Sequence, residues 1–314
     1  MLQKTTEPSL ESNASATDDA QYFEYTSSAN PIGAKLISRV PYHAFPATLY
    51  ADGPTRVVPL DLSSELRCDG PATGPGLCAS FVRIIGGESV TLSPVATSQV
   101  FYVIDGEGAA SQRDAGFRFA KGDFFTFPGG AELTLRADAT ARLYMVNDAP
   151  LLTYLGASFG HPRFRPTLYP ASRAQEELRK VSGAAAASVR NRVSILLGNA
   201  NFPQTRTVTH SLWAMFGVIA PGAVQKPHRH QSIALDFISD CAPGCYTLVG
   251  TELDEHGNIR NPQRVDWTPG MAFVTPPGYW HAHFNESDAN GYVIPIQDAG
   301  LQTYLRSLDI QFAR

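Results

Sequence analysis

The stretch that decides the fold is Gly222-Ala-Val-Gln-Lys-Pro-His228-Arg-His230, answered downstream by Gly270-Met-Ala-Phe-Val-Thr-Pro276-Pro-Gly278-Tyr-Trp-His281-Ala-His283-Phe-Asn285. Two histidines one residue apart on a strand project to the same face, because side chains alternate with period two. A third histidine from a later strand can meet them there. Three imidazoles then surround one ion and leave coordination positions open, which is the arrangement of a reactive metal and not of a closed structural one. His228, His230 and His281 are therefore the expected metal ligands, inside a small β-barrel.

The same frame occurs twice. Gly222 is followed after five residues by His228-Arg-His230, and Gly270 after five residues by Pro276-Pro-Gly278. Earlier in the chain, Gly87 is followed after five residues by Ser93-Pro-Val95, and Gly122 after five residues by Pro128-Gly-Gly130. The turn-forming glycines and the proline survive in both copies. The ligand positions do not: the first copy reads Ser93, Val95, Gln99 and Leu133, which cannot hold a transition metal. Short β-rich runs surround both copies. They are Ser80–Ile85, Val100–Ile104, Phe117–Ala120, Asp123–Phe127 and Arg142–Asn147, then Leu212–Ile219, Ile233–Ile238, Tyr246–Val249, Met271–Thr275 and Gly291–Ile296. Between them, Ser172 to Val181 reads as a helix, with Ser172 as N-cap and Gln175 three residues on. The expected division is a disordered tail over 1–30, a metal-free barrel over 31–165, a helical linker over 166–205 and a metal-binding barrel over 206–314.

Composition agrees with an all-β reading. There are 26 glycines and 23 prolines in 314 residues, which suits short strands and tight turns. The net charge of −4 offers no basic field for nucleic acid, and no DNA-binding helix-turn-helix is visible. No apolar run is long enough to span a bilayer, and the polar, acidic start lacks the features of a secretory signal, so a cytoplasmic protein is expected. Four cysteines do not make a disulfide framework, and Cys241 and Cys245 are read as free thiols flanking a Pro-Gly turn.

On these two motifs the chain resembles the cupin superfamily, and the doubled frame resembles a bicupin. The resemblance covers most of residues 80–150 and 205–300 and implies two double-stranded β-helix, jelly-roll domains with a helical connection. Within the superfamily, Pro227-His228-Arg229-His230 and Pro277-Gly-Tyr-Trp280-His281-Ala-His283 look most like the gentisate 1,2-dioxygenase group. That resemblance implies a non-haem Fe(II) dioxygenase that cleaves a small hydroxy- or amino-substituted aromatic ring with O₂, and a homodimer or homotetramer. Ala234 stands where cupins usually carry a glutamate ligand, which leaves a three-histidine site like the one that group uses. The chain departs from the group in two ways. The metal frame is in the second repeat instead of the first, and Asp236 stands where the group carries an arginine for the substrate carboxylate.

By parity Asp236 faces inward with Ala234, and an inward carboxylate attracts an amine and repels an acid. His283, two residues past His281, faces the same way. His283 and Asp236 are the expected catalytic side chains beside the metal, and Gln297, Trp213, Met215, Phe237 and Trp280 the expected pocket residues. Two other readings remain open. One is a metal-dependent isomerase, lyase or hydrolase using Mn, Ni or Zn; the other is a non-catalytic small-molecule binding protein.

Overall fold

The computed structural model describes residues 17–184 and 190–313. Of the tail expected over 1–30, residues 1–16 lie outside the described residues. Residues 17–30 are exposed almost throughout and carry one short helix, Tyr25–Ser28, whose Thr26 and Ser27 amides donate to the Glu24 carboxylate. Contacts divide the chain at Arg39, and everything below concerns the unit from Val40 onward.

The first repeat builds one continuous, wrapped sheet. Its strand order is Arg56–Pro59, Cys78–Ile84, Leu133–Asn147, Ser98–Gln112, Phe124–Pro128 and Thr167–Tyr169. Ser89–Leu92 and Ala115–Ala120 pair off this path. The two longest strands, Ser98–Gln112 and Leu133–Asn147, pair along their lengths, with register breaks between Val103 and Gly108. Such breaks bend a strand and let a sheet curl into a barrel. The interior is apolar: Phe101 stacks on Phe125 with ring centroids 4.6 Å apart, beside Phe127, Leu135 and Leu143.

The second repeat is two facing sheets. One contains Ala44–Phe45, Ala272–Thr275, Ala234–Asp240, Gly291–Gln297, Trp213–Ile219 and Val193–Leu196 in that order. The other contains Gln263–Asp266, Cys245–Gly250, Trp280–Asn285, Val224–Arg229 and Gln311–Phe312. Equivalent turns are made by Gly122 and Gly270, with φ of 85° and 83°, where an L side chain would be strained.

A shared core fuses the repeats. On Ala234–Asp240, Leu235 and Phe237 point between the barrels, while Ile238 points into the second one. The fully buried Phe237 stacks on Tyr144 of the first repeat at 5.0 Å and 20°, with Tyr102 at 5.6 Å. Phe237 is therefore not a pocket residue, contrary to the sequence expectation. The chain also crosses over: Ala44–Phe45 pairs with Phe273 and Ala272 of the second barrel, and the Tyr50 hydroxyl donates to Gly270 O at 2.8 Å.

The connection is more than a helix. Thr167–Tyr169 extends the first sheet and Val193–Leu196 extends the second. The helix between them, Ala171–Ser182, buries Ala174 and Leu178. Ser172 does not cap it. Pro170 occupies the N-cap position, and the freed Ala171 amide donates instead to the Asp123 carboxylate at 2.8 Å, far away in sequence. All four cysteines are free, and among the described residues no helix is long and apolar enough to cross a membrane.

Because the cap is tertiary, Asp123→Ala is expected to destabilise the protein by about 1–2 kcal/mol, whereas Ser172→Ala should change stability by less than about 0.5 kcal/mol. Chemical denaturation of the two variants checks this.

Candidate metal centre

The three expected ligands come together by strand register. His228 sits directly opposite His281 across Val224–Arg229 and Trp280–Asn285, and their ring centroids are 4.0 Å apart. His230, one residue past the strand end, lies 4.9 Å from His281 and 6.1 Å from His228. Their ligand atoms fall within 4.8 Å of one another, the only such cluster among the described residues, and none of the three is more than 4% exposed.

The backbone sets the tautomers. Nδ1 of His228, His230 and His281 lies 3.2, 2.8 and 3.1 Å from the carbonyls of Lys226, Ser232 and Tyr279, each two residues away. A carbonyl only accepts, so Nδ1 carries the proton and Nε2 presents its lone pair. His230 Nε2 is buried with no partner at all. Burial pushes all three imidazoles down, His230 to about 4, and the positive neighbours add to this for each of them. Three neutral imidazoles with converging lone pairs, one of them orphaned, fit a divalent cation. Ser232 completes the support. Its hydroxyl sits 3.0 Å from His230 Nδ1 and donates to Gln297 Oε1 at 2.9 Å, so Gln297 reaches the centre through a ligand.

The flanking residues divide by strand face. His283 faces the interior, its ring centroid 5.8 Å from that of His281. Its Nδ1 contacts Thr247 Oγ1 at 2.7 Å, and that oxygen also accepts the Trp267 indole N–H at 2.8 Å. Asp236 is buried and its Oδ2 accepts from the Thr275 hydroxyl at 2.7 Å. Burial raises its carboxyl to about 6, against the lowering effects of Thr275 and Arg192. Met215 is buried, and the Trp213 indole N–H is buried without a partner. Trp280 does not face the histidine cluster, contrary to the sequence expectation, and lines an outer groove with Gln311 and Phe312 instead. It alternates away from His281, half-buried beneath the Arg229 guanidinium at 5.0 Å, and Arg229 also donates to Gln311 Oε1.

Two interior residues carried no clear signal in the sequence. Gln225 is opposite His283, its amide nitrogen 3.5 Å from His228 Nε2. Simple alternation would put residues 225 and 228 on opposite faces, but a register shift between them brings both inside. Arg192, at the start of Val193–Leu196, puts its guanidinium 3.5 Å from His283 Nε2 and 3.6 Å from Met215 Sδ. Arg192 thus brings a positive charge into the interior that holds Asp236.

No protein-family model matches the chain. Over 123 residues, 39% of this chain, it is 30% identical to a gentisate 1,2-dioxygenase of Aquipseudomonas alcaligenes, of which the match covers 32%. It is 31% identical over 104 residues to a 1-hydroxy-2-naphthoate 1,2-dioxygenase of a Nocardioides species, covering 33% of this chain and 23% of that one. The matched stretches thus span a third or less of these relatives. In three dimensions the chain resembles salicylate 1,2-dioxygenase from Pseudoaminobacter salicylatoxidans, in a crystal structure of its adducts with gentisate. The TM-score is 0.71 at 14% identity, over 99% of this chain and 96% of the other. A variant of Bacillus subtilis oxalate decarboxylase gives a TM-score of 0.54 at 13% identity, over 81% and 76%. The fold is a bicupin, with the histidine cluster in its C-terminal barrel.

His228→Ala, His230→Ala and His281→Ala are each expected to abolish stoichiometric metal binding, and Ser93→Ala to leave it unchanged, as read by elemental analysis. Asp236 supplies a pH prediction for the metal-free protein. Its folded value lies above the unfolded 3.8, so the folded state holds the proton more tightly. Stability then falls as pH rises from about 4 to about 6 and stays lower above that. Asp236→Asn should remove this decline and stabilise the protein at pH 7 by roughly 1–3 kcal/mol, measured as unfolding free energy against pH.

Proposed function

We propose that this protein holds Fe(II) between His228, His230 and His281 and uses O₂ to open the ring of a small hydroxy- or amino-substituted aromatic compound. The observation that carries the reading is the set of three neutral, inward-facing Nε2 lone pairs with no carboxylate among them. Imidazoles cancel none of the ion's charge, so the site favours an anionic chelating substrate. Three protein ligands also leave open positions for substrate and O₂. The fold and the partial sequence likenesses support the same chemistry, since the relatives they point to are dioxygenases of hydroxylated aromatic acids.

Iron bound here would supply Lewis acidity toward a phenolate and the redox steps that let O₂ react with an electron-rich ring. The chain's own residues hold and orient. The carbonyls of Lys226, Ser232 and Tyr279 keep each ligand ring turned toward the ion. The Ser232–Gln297 pair steadies His230. His283, anchored on Thr247 and Trp267, gives the cavity a hydrogen-bonding imidazole for orienting a substrate substituent. Asp236 places a carboxyl in the same interior, suited to accept from an amino or hydroxyl group. Buried Met215 and the apolar cluster of Ile238, Phe273 and Val293 inside the same barrel exclude water from this side of the site.

Anaerobic purification, metal analysis and oxygen-electrode screening test the reading. Fe(II)-reconstituted protein is expected to consume O₂ with at least one hydroxybenzoate, aminophenol or aminohydroxybenzoate, with loss of the aromatic absorbance. Tightly held zinc, manganese or nickel, with no oxygen uptake on any of these compounds after iron loading, would move the protein to the non-oxidative metal enzymes.

A further inference from the structure

The shared core between the barrels opens at one end into a cleft of about 640 Å³. That size falls among small-molecule sites, roughly 300–1,000 Å³, which gather where domains meet. Its floor is aromatic. Tyr102 packs on Phe124 with ring centroids 4.8 Å apart, Phe124 on Phe216 at 5.9 Å, and Phe216 on Tyr292 at 5.8 Å and 24°. Tyr292, the last ring of this row, is half-buried and lines the cleft. Phe216 and Tyr292 lie on the strand face opposite Ile219 and Val293, so the metal-bearing interior is on the other side of the sheet.

The walls carry charge that the protein leaves unmatched. Gln175, Leu178, Arg179 and Ser182 share one stripe of the helix Ala171–Ser182 by their spacing, and that stripe lines the cleft. On a second stripe, Arg173 and Lys180 pair with Glu176 and Glu177. Arg179 takes no part in that ladder, and its Nε donates to Gln175 O at 3.4 Å. Lys121 enters from the turn of the first barrel whose Asp123 caps the helix. Among the described residues neither cation has an ion pair within 4.0 Å. Asp240 is the one carboxylate in the lining. Two cations against one carboxylate make the cleft net positive, in a chain whose net charge is −4. Burial pushes the Tyr102 hydroxyl up to about 12, with Asp240 adding to the rise, so it remains a protonated donor.

We propose that this cleft is a second binding site, taking a small planar aromatic anion whose ring lies against Phe216 and Tyr292 and whose negative group is held by Lys121 and Arg179. Flat rings stack on the aromatic floor, and the two free cations supply charge-assisted hydrogen bonds. Asp240 and Asn290, from the second barrel, suit a hydroxyl or amino substituent on the same ring. The site is separate from the histidine cluster and does not depend on which metal, if any, that cluster holds.

The probe is 8-anilinonaphthalene-1-sulfonate, an aromatic sulfonate that brightens in apolar surroundings, titrated into the full chain and followed by fluorescence. The wild type is expected to bind one molecule per chain. Lys121 and Arg179 are exposed, so the double variant Lys121→Ala, Arg179→Ala keeps the fold and should weaken binding about tenfold. Ser182→Trp, which fills the cleft from the helix, should block it. The uncharged N-phenyl-1-naphthylamine should bind the wild type and the double variant alike, which separates the charges from the aromatic floor. His281→Ala should leave sulfonate binding unchanged. No binding by the wild type, equal sulfonate affinity in the double variant, full binding by Ser182→Trp, or loss of the probe in His281→Ala overturns the site. Equal weakening of the charged and uncharged probes in the double variant overturns the assignment of an anion.

Discussion

The candidate metal centre depends on one cross-strand register, His228 opposite His281. A shift of one residue in either strand would turn an imidazole out of the barrel and remove the site. The same register explains the bulge after Gln225, which lets Gln225 and His228 share the inner face. It also explains the tautomers. On these strands and their ends, a carbonyl two residues from each ligand lies beside its Nδ1, so the backbone that places each ring also sets which nitrogen faces the ion.

The two barrels divide the physical work. The first fills its interior largely with packed rings such as Phe101, Phe125 and Phe127, and among the described residues it holds no histidine cluster. The second carries four imidazoles, a carboxyl and a guanidinium, groups that are expensive to bury and need a rigid surround. The first barrel contributes to that surround. Tyr144 stacks against the back of the strand that bears Asp236, and the crossing strand Ala44–Phe45 extends the same sheet. A repeat that has lost its ligands can thus still hold its neighbour's strands in place.

Much of the centre was legible before folding. The doubled glycine frame marked two barrels, and the ligand letters assigned the metal to the second. The period-two rule that turns Asp236 inward also turns Phe237 outward, and the rule that turns His281 inward turns Trp280 outward. The positions of Phe237 and Trp280, facing away from the histidines, are thus encoded in the same alternation. Ser172 is different. Its spacing to Gln175 fits a capping box, but Pro170 starts the helix earlier and Asp123, from another strand, supplies the acceptor.

By itself the sequence determined what local periodicity can encode: which residues share a strand face, where a positive φ demands glycine, and which copy of the frame carries metal ligands. The tertiary structure alone decided what enters the barrel from outside that frame. Arg192 lies in the connection, with no periodic pattern around it, and its guanidinium reaches the histidines because the chain crosses from one sheet to the other at that residue. Alternation fixes the direction of a side chain within its own strand, but a meeting between distant segments depends on how the two sheets close.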